Sequence, residues 1–226
     1  MELWHGSQQI VRRPLRERCR PHNDYGAGFY CTEEPDLARE WACAGTSDGF
    51  ANRYELDESG LSMLNLNDAR FSVLHWLSVL VKHRTFNVTT PIAREALRFL
   101  ASEFAVDAET YDVIRGYRAD DSYFSFARAF LNDGLSVAQL ERAMRLGKLG
   151  EQVVLKSAAS FEAISFVSFE RVRLAEYRQK RELRDRTARR ECALEAERYD
   201  REGIYMHHLI TGEVSPDDRR LFGGAA

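Results

Sequence analysis

The chain has few cysteines: four in 226 residues, Cys19, Cys31, Cys43 and Cys192. None forms a CxxC pair, and none clusters with the histidines. That spacing argues against a zinc ribbon and against a disulfide framework, and reduced thiols are expected. His207-His208 stands without carboxylate or cysteine spacing, so no metal is expected. Long apolar runs are also missing. The most apolar helical stretch, Val73 to Val81, is interrupted by His75 and Ser78 and is far short of the roughly 20 residues that span a bilayer. Met1-Glu2-Leu3-Trp4-His5 shows no basic segment leading into an apolar one, so no secretory leader is expected. A cytoplasmic location with no membrane partner follows as the expectation. There is no internal repeat and no low-complexity tract. The formal charge is only −3, which argues neither for nor against nucleic acid, because a local patch binds phosphates on a near-neutral protein.

What is present suits a folded domain of moderate size. Apolar residues make up 44%, with 13 Phe and 9 Tyr, enough for a sizeable core. Residues 2–5 read as a strand, and Gly26 to Cys31 as a second strand entered through a glycine turn. Thr32 can cap a helix whose Leu37, Ala38, Trp41 and Ala42 share one face. Tyr54 to Leu56 and Ser62 to Leu66 read as strands joined by Asp57-Glu58-Ser59-Gly60. Val73 to Arg84 and Pro91 to Phe104 read as helices, and Tyr111 to Tyr117 as a strand. Ser125 to Leu131 and Val137 to Arg145 are helical. Gly147 to Gly150 is a hinge feeding the strand Glu151 to Lys156, and Ile164 to Phe169 is a last strand. From Glu170 to Glu202 nearly two residues in three are charged, with signs interspersed. This predicts a solvent-exposed helical extension laced by i,i+3 and i,i+4 pairs. The division expected is a domain over 1–168 and an extension over 169–226.

The chemistry concentrates near the front. Leu3-Trp4-His5-Gly6-Ser7 is followed by Gly26-Ala27-Gly28-Phe29-Tyr30, and Trp41 lies eleven residues after that tyrosine. A His-Gly step, a glycine-flanked tyrosine and a later aromatic make a pocket for a flat ring on a ribose. Taken singly, each has a plainer use: His5 as a hydrogen-bonded structural histidine, Trp41 as core on an apolar helix face, Cys31 as a small buried hydrophobe.

As an ordered set these residues resemble the NAD-binding half of ADP-ribosyltransferases of the poly(ADP-ribose) polymerase and diphtheria-toxin type, the class marked by a His-Tyr-Glu triad. The closer likeness is to an uncharacterised bacterial family placed in that superfamily. It rests on the His-Gly-Ser opening, the segment Asp24 to Thr32, the Ala38 to Ala42 helix, the acidic pair Asp120-Asp121 and the strand Gln152 to Leu155. It covers roughly residues 2–168. It implies an α+β fold with a split, mostly antiparallel sheet core and flanking helices.

It also implies roles. His5 would bond an NAD ribose hydroxyl, the Gly6 backbone would grip the carboxamide, and Ser7 would add a hydroxyl contact. Gly28 would leave space for the cofactor, and Tyr30 and Trp41 would stack on the nicotinamide. The third triad position should carry a carboxylate, and here two neighbours compete. Counting forward to Phe161 favours Gln152, whereas charge stabilisation of a cationic transition state favours Glu151. Adjacent strand residues point to opposite faces, so only one can face the pocket. Asp120 and Asp121 either position an acceptor or form a turn before the next helix. Arg12, Arg13, Arg16, Arg18 and Arg20 either meet phosphates of NAD or nucleic acid or form a solvated loop.

The resemblance thus implies transfer of ADP-ribose from NAD to a macromolecule (protein, RNA or DNA) by the toxin of a bacterial toxin–antitoxin or defence system, with an antitoxin protein as a partner for the charged extension. The alternatives are an NAD glycohydrolase with water as acceptor, and a non-catalytic NAD-binding module. A phosphotransferase of the related RNA-repair type ranks below these, because it would want a basic phosphate pocket in place of Trp41.

Overall fold

A computed structural model describes residues 1–119, 121–145 and 150–222, with residues 121–123 and 192 described by backbone alone. The chain is α+β and divides into two units that interleave along the sequence. The first takes Met1–Asn65, Asp107–Gly116 and Leu149–Arg186, and the second takes Leu66–Val106, Tyr117–Lys148 and Thr187–Ala226.

The first unit holds both sheets. Strands β1 (Glu2–Ser7), β3 (Gly49–Leu56) and β7 (Ile164–Val172) form an antiparallel sheet in the order β1-β3-β7. Strands β2 (Phe29–Cys31), β4 (Met63–Asn65), β5 (Val113–Tyr117) and β6 (Glu151–Leu155) form the other, in the order β2-β6-β5-β4. There β2 and β6 pair antiparallel, but β4 and β5 pair parallel. A parallel pair needs a long crossover, and the chain between β4 and β5 carries helices α2 (Val73–His83) and α3 (Pro91–Glu103).

Alternation along the strands builds the core of this unit. Leu3, Phe29, Cys31, Tyr54, Leu56, Val113, Val153 and Leu155 are buried together, and Phe161 and Phe166 pack against them. Phe29 meets Tyr54 edge-on, with ring centroids 5.5 Å apart. Helix α1 (Pro35–Ala42) covers the opposite face of β1 and β3 through Ala38 and Ala42, which cluster with Ala51 and Val172. Its N-cap is Glu34, with Pro35 in the first turn, and not the expected Thr32. Thr32 instead accepts the Glu34 amide at 3.1 Å and pairs with Trp4.

The second unit is helical: α2, α3, α4 (Asp121–Leu131), α5 (Val137–Arg145) and α8 (Met206–Ile210). Ser72 and His75 form a capping box on α2, Thr90 caps α3 ahead of Pro91 at its start, and Phe86 stacks on Phe124 at 4.3 Å.

The division expected after residue 168 falls inside β7. This strand lies at the edge of its sheet, where charged residues such as Glu170 and Arg171 are tolerated, so the charge run began before the strand had ended. Helix α6 (Ala158–Glu162) precedes it. Helix α7 (Leu174–Ala196) follows, and the boundary between units falls within it. The extension read as a solvated helix is anchored at both ends. Arg184 pairs with Glu40 at 2.6 Å, with both side chains largely buried. Gln139 donates to the carbonyls of Glu195 and Arg198.

A Cβ placed on Gly49 would overlap the Ala42 carbonyl oxygen of α1. Gly49→Ala is therefore expected to destabilise the protein by about 1–3 kcal/mol, as overpacking against a fixed backbone does. Urea unfolding of the variant against the wild type measures it.

Candidate functional site

Besides their shared core, the two sheets of the first unit are joined by backbone hydrogen bonds at a narrow seam. Trp4 and Thr32 exchange backbone hydrogen bonds of 2.7 and 2.9 Å, and they form an isolated bridge between β1 and the end of β2. Immediately beside it, His5 Nδ1 lies 2.7 Å from the Tyr30 carbonyl oxygen. A carbonyl only accepts, so Nδ1 carries the proton and, in the neutral ring, Nε2 is left as an acceptor. Among the described residues Nε2 has no hydrogen-bond partner. Burial pushes the His5 pKa below its ordinary 6.5, and the bond to Tyr30 only partly opposes this, so the ring is neutral at pH 7. It sits over Phe29, with centroids 4.5 Å apart.

Asn52 is the residue that sequence reasoning missed. It lies opposite His5 in the β1–β3 register and is fully buried. Its amide donates to the His5 and Gln9 carbonyls, and its Oδ1 accepts the Val11 amide at 2.9 Å. It thereby shapes the loop that leaves β1. Ser7 is turned into that same loop: its hydroxyl donates to the Gln9 carbonyl and accepts the Gln9 amide. An asparagine in a sequence that reads as a strand is the available signal, because Asn is disfavoured there and persists where its side chain bonds locally.

Gly6 and Trp41 are brought together, by packing. Gly6 points to the face of β1 away from His5, where a Cβ would overlap the Ala38 carbonyl oxygen and lie 2.7 Å from Trp41 Cβ. The close approach Gly6 permits is to α1. Gly28 behaves alike: a Cβ there would lie 2.5 Å from Val154 Cγ1 and 2.9 Å from the Leu155 carbonyl oxygen, so its bareness serves the β2–β6 pairing. Trp41 is half-buried on α1.

Tyr30 is half-buried and fixed at both ends. Its backbone pairs with Val154. Its hydroxyl accepts the Tyr25 amide at 2.9 Å and donates to the Gly26 carbonyl at 2.8 Å. Gly26 has φ 75°, a left-handed conformation that suits glycine, and the tyrosine clamps that turn.

The register places Glu151 and Gln152 on opposite faces of β6. Phe29 lies opposite Leu155, and Cys31 opposite Val153; these four belong to the core. The alternate set, Tyr30, Val154 and Gln152, shares the other face. Gln152 is 4% exposed, and its Nε2 donates to Asp24 Oδ2 at 3.1 Å. Because a carboxylate only accepts, the amide orientation is fixed, and Oε1 remains buried with no hydrogen-bond partner among the described residues. Glu151 lies on the opposite face and pairs with Arg115, which also holds Glu33 at 2.5 Å. Lys156, on the Gln152 side of β6, is buried and donates to the Tyr25 carbonyl at 2.6 Å and to Glu109 at 3.0 Å. Both Asp24 and Tyr25 are therefore fastened to β6.

The other expected members stand apart. Asp120 lies outside the described residues, as do Gly147, Lys148 and Leu149 of the hinge; Asp121 begins α4 in the second unit. Cys31 is core, its thiol pushed well up by burial. Among the described residues no group of His, Cys, Asp and Glu is arranged to hold a metal, and no helix is long and apolar enough to cross a membrane.

Two outcomes follow. Asn52→Ala leaves the buried Val11 amide without its acceptor and is expected to cost about 1–3 kcal/mol, read as a lower urea midpoint. The unfolded chain protonates His5 near 6.5 while the folded chain resists it, so the unfolded state binds more protons in that range and stability falls as pH drops below about 6.5. His75 is lowered in the same sense by burial. Unfolding midpoints measured between about pH 7.5 and pH 5.5 are expected to fall in the wild type, with a shallower slope in His5→Asn.

No curated protein and no solved structure matches the chain. One family model does, over residues 1–166, and it is described as a protein of unknown function, DUF3990. The match takes in every strand up to the first residues of β7, and the chain belongs to the DUF3990 family.

Proposed function

We propose that the first unit is an NAD-binding domain with the ADP-ribosyltransferase fold, and that the chain transfers ADP-ribose from NAD to a macromolecule with release of nicotinamide. One observation carries this reading: two acceptors lack a donor among the described residues, His5 Nε2, whose ring meets the Tyr30 carbonyl through Nδ1, and the buried Gln152 Oε1, on the strand that pairs with that of Tyr30. A buried acceptor without a donor is costly, and the two hydroxyls of a ribose supply two donors. The half-buried Tyr30 ring suits the flat nicotinamide.

In the reaction the bond from ribose C1′ to the nicotinamide nitrogen breaks, and its electron pair leaves with the ring, which becomes neutral. An oxygen or nitrogen of the acceptor then bonds to C1′ and gives up its proton. Positive charge develops on the ribose between these events, so negative potential near it lowers the barrier. A glutamine in the triad position lacks that charge, which favours a non-catalytic NAD-binding module as a second reading. Asp24 answers it: its carboxylate, 7% exposed, accepts from Gln152 and polarises the amide toward a more negative Oε1. Glutamine and aspartate together supply what one glutamate would.

His5→Ala and Gln152→Ala are each expected to weaken NAD binding about tenfold, the worth of one hydrogen bond, whereas Glu151→Gln changes it less than about twofold, because Glu151 serves Arg115 in a partly exposed pair. Calorimetry with NAD measures binding, and radiolabelled NAD with cell lysate measures transfer. Free ADP-ribose without labelled macromolecule would indicate a glycohydrolase. NAD binding without turnover, in wild type and Asp24→Asn alike, would indicate a binding module. Growth arrest on expression is the expected readout of a toxin.

A further inference from the structure

The loop between β1 and β2 is the part of the first unit that NAD binding leaves unexplained. Between Arg12 and Arg20 it carries five arginines, one acid (Glu17) and no lysine, in a chain whose total charge is −3. All five arginines are exposed. The side chains of Arg13, Arg18 and Arg20 make no hydrogen bond or ion pair to any described residue, so their guanidinium groups face solvent unpaired.

The loop is nonetheless built as a fixed platform. At its start Val11 is held from both sides, its amide by Asn52 and its carbonyl by the Tyr54 hydroxyl. Pro14 is buried, and the Arg12 guanidinium lies 5.1 Å from the Phe166 ring centre. Arg16 donates to the Lys156 carbonyl at 3.0 Å, and residues 16–18 form a helical turn. At its end Asp24 and Tyr25 are held by Gln152 and Lys156. The basic stretch is therefore fastened to the end of β6 at Lys156, and the chain that leaves it is held to Gln152 and Lys156 through Asp24 and Tyr25.

We propose that this loop docks the sugar-phosphate backbone of a single-stranded nucleic acid and presents it as the acceptor at the neighbouring pocket. The proposal rests on the NAD-transfer reading for the acceptor role, and on the loop alone for binding. Consecutive guanidinium forks without lysine suit repeated phosphates, because each grips two oxygens at once. A single strand is favoured because a base or end must leave a duplex to reach a half-buried site. RNA and DNA share the backbone chemistry, and the experiment separates them.

The test uses the full chain with fluorescein-labelled 20-nucleotide RNA and DNA single strands, in anisotropy titrations across salt concentrations. Wild type is expected to bind at low salt with an affinity that falls as salt rises, by a slope of about 0.7 per phosphate neutralised. The triple variant Arg13→Gln, Arg18→Gln, Arg20→Gln is expected to lose about two from that slope and at least about tenfold in affinity, with an unchanged melting temperature. The control Arg94→Gln, Arg98→Gln on α3 is expected to bind as wild type. Binding of one strand type alone identifies which source is the partner. With radiolabelled NAD, label transfer to the bound strand should be lost in the triple variant while NAD affinity holds. No binding of either strand by wild type, or equal binding by the triple variant, overturns the proposal. So does weakened NAD affinity with strand binding intact, which would give the arginines to the NAD pyrophosphate, or label transfer to protein only. Strand binding that depends on the three arginines, in a chain that does not bind NAD, would support the docking surface and overturn the NAD reading alone.

Discussion

The first unit is organised by the seam where β1 crosses the end of β2. Two backbone hydrogen bonds between Trp4 and Thr32 join its sheets there, and His5 adds a third bond to the Tyr30 carbonyl. The seam holds because each side of it is packed. Toward the core, Leu3, Phe29 and Tyr54 close behind His5, and on the other face Gly6 lets α1 lie directly on the strand. Burial at the seam also decides the chemistry of His5. A charged imidazole is disfavoured there, the carbonyl selects the tautomer, and one ring nitrogen is left as an acceptor. Packing and protonation are thus not separable at this residue.

The same economy recurs on β6. One strand of five residues sends Val153 and Leu155 into the core, gives Glu151 to an ion pair, and turns Gln152 toward Tyr30 and Asp24. Asp24 and Tyr25 close the loop that carries the arginines, so the residue that polarises Gln152 also ends the basic platform. Position in the sheet, charge and loop geometry are set by the same few hydrogen bonds.

Much of this was legible from the sequence. The strands around Leu3, Phe29, Tyr54, Val113 and Val153 and the helices α2 and α3 lie close to where the sequence reading put them. The helix through Trp41 was found by its spacing, although its cap was displaced from Thr32 to Glu34 by Pro35. Four things were not legible, each for a physical reason. The choice between Glu151 and Gln152 depends on which residues of β2 lie opposite, and no single strand reveals its register. The role of Gly6 was read as room for a ligand, because a bare backbone looks the same whether a cofactor or a helix fills the space. The end of β7 was read too early, because charged residues on this edge strand read like the start of the charged helix. Asn52 escaped notice because its value lies in bonds to residues 5–11, more than forty positions away.

The strand order has a consequence for synthesis. In the first sheet β3 pairs on one side with β1, which precedes it, and on the other with β7, which is made more than a hundred residues later. β2 likewise waits for β6. As the chain leaves the ribosome, the first hairpin-like pair can form early with one edge of β3 open, and an open edge invites pairing with other chains. The β2–β6 pairing cannot form until residue 155 has emerged, so the second sheet closes around Tyr30 only when about two thirds of the polypeptide is out of the exit tunnel. A nascent chain therefore carries the basic loop well before it carries the strand that fastens it.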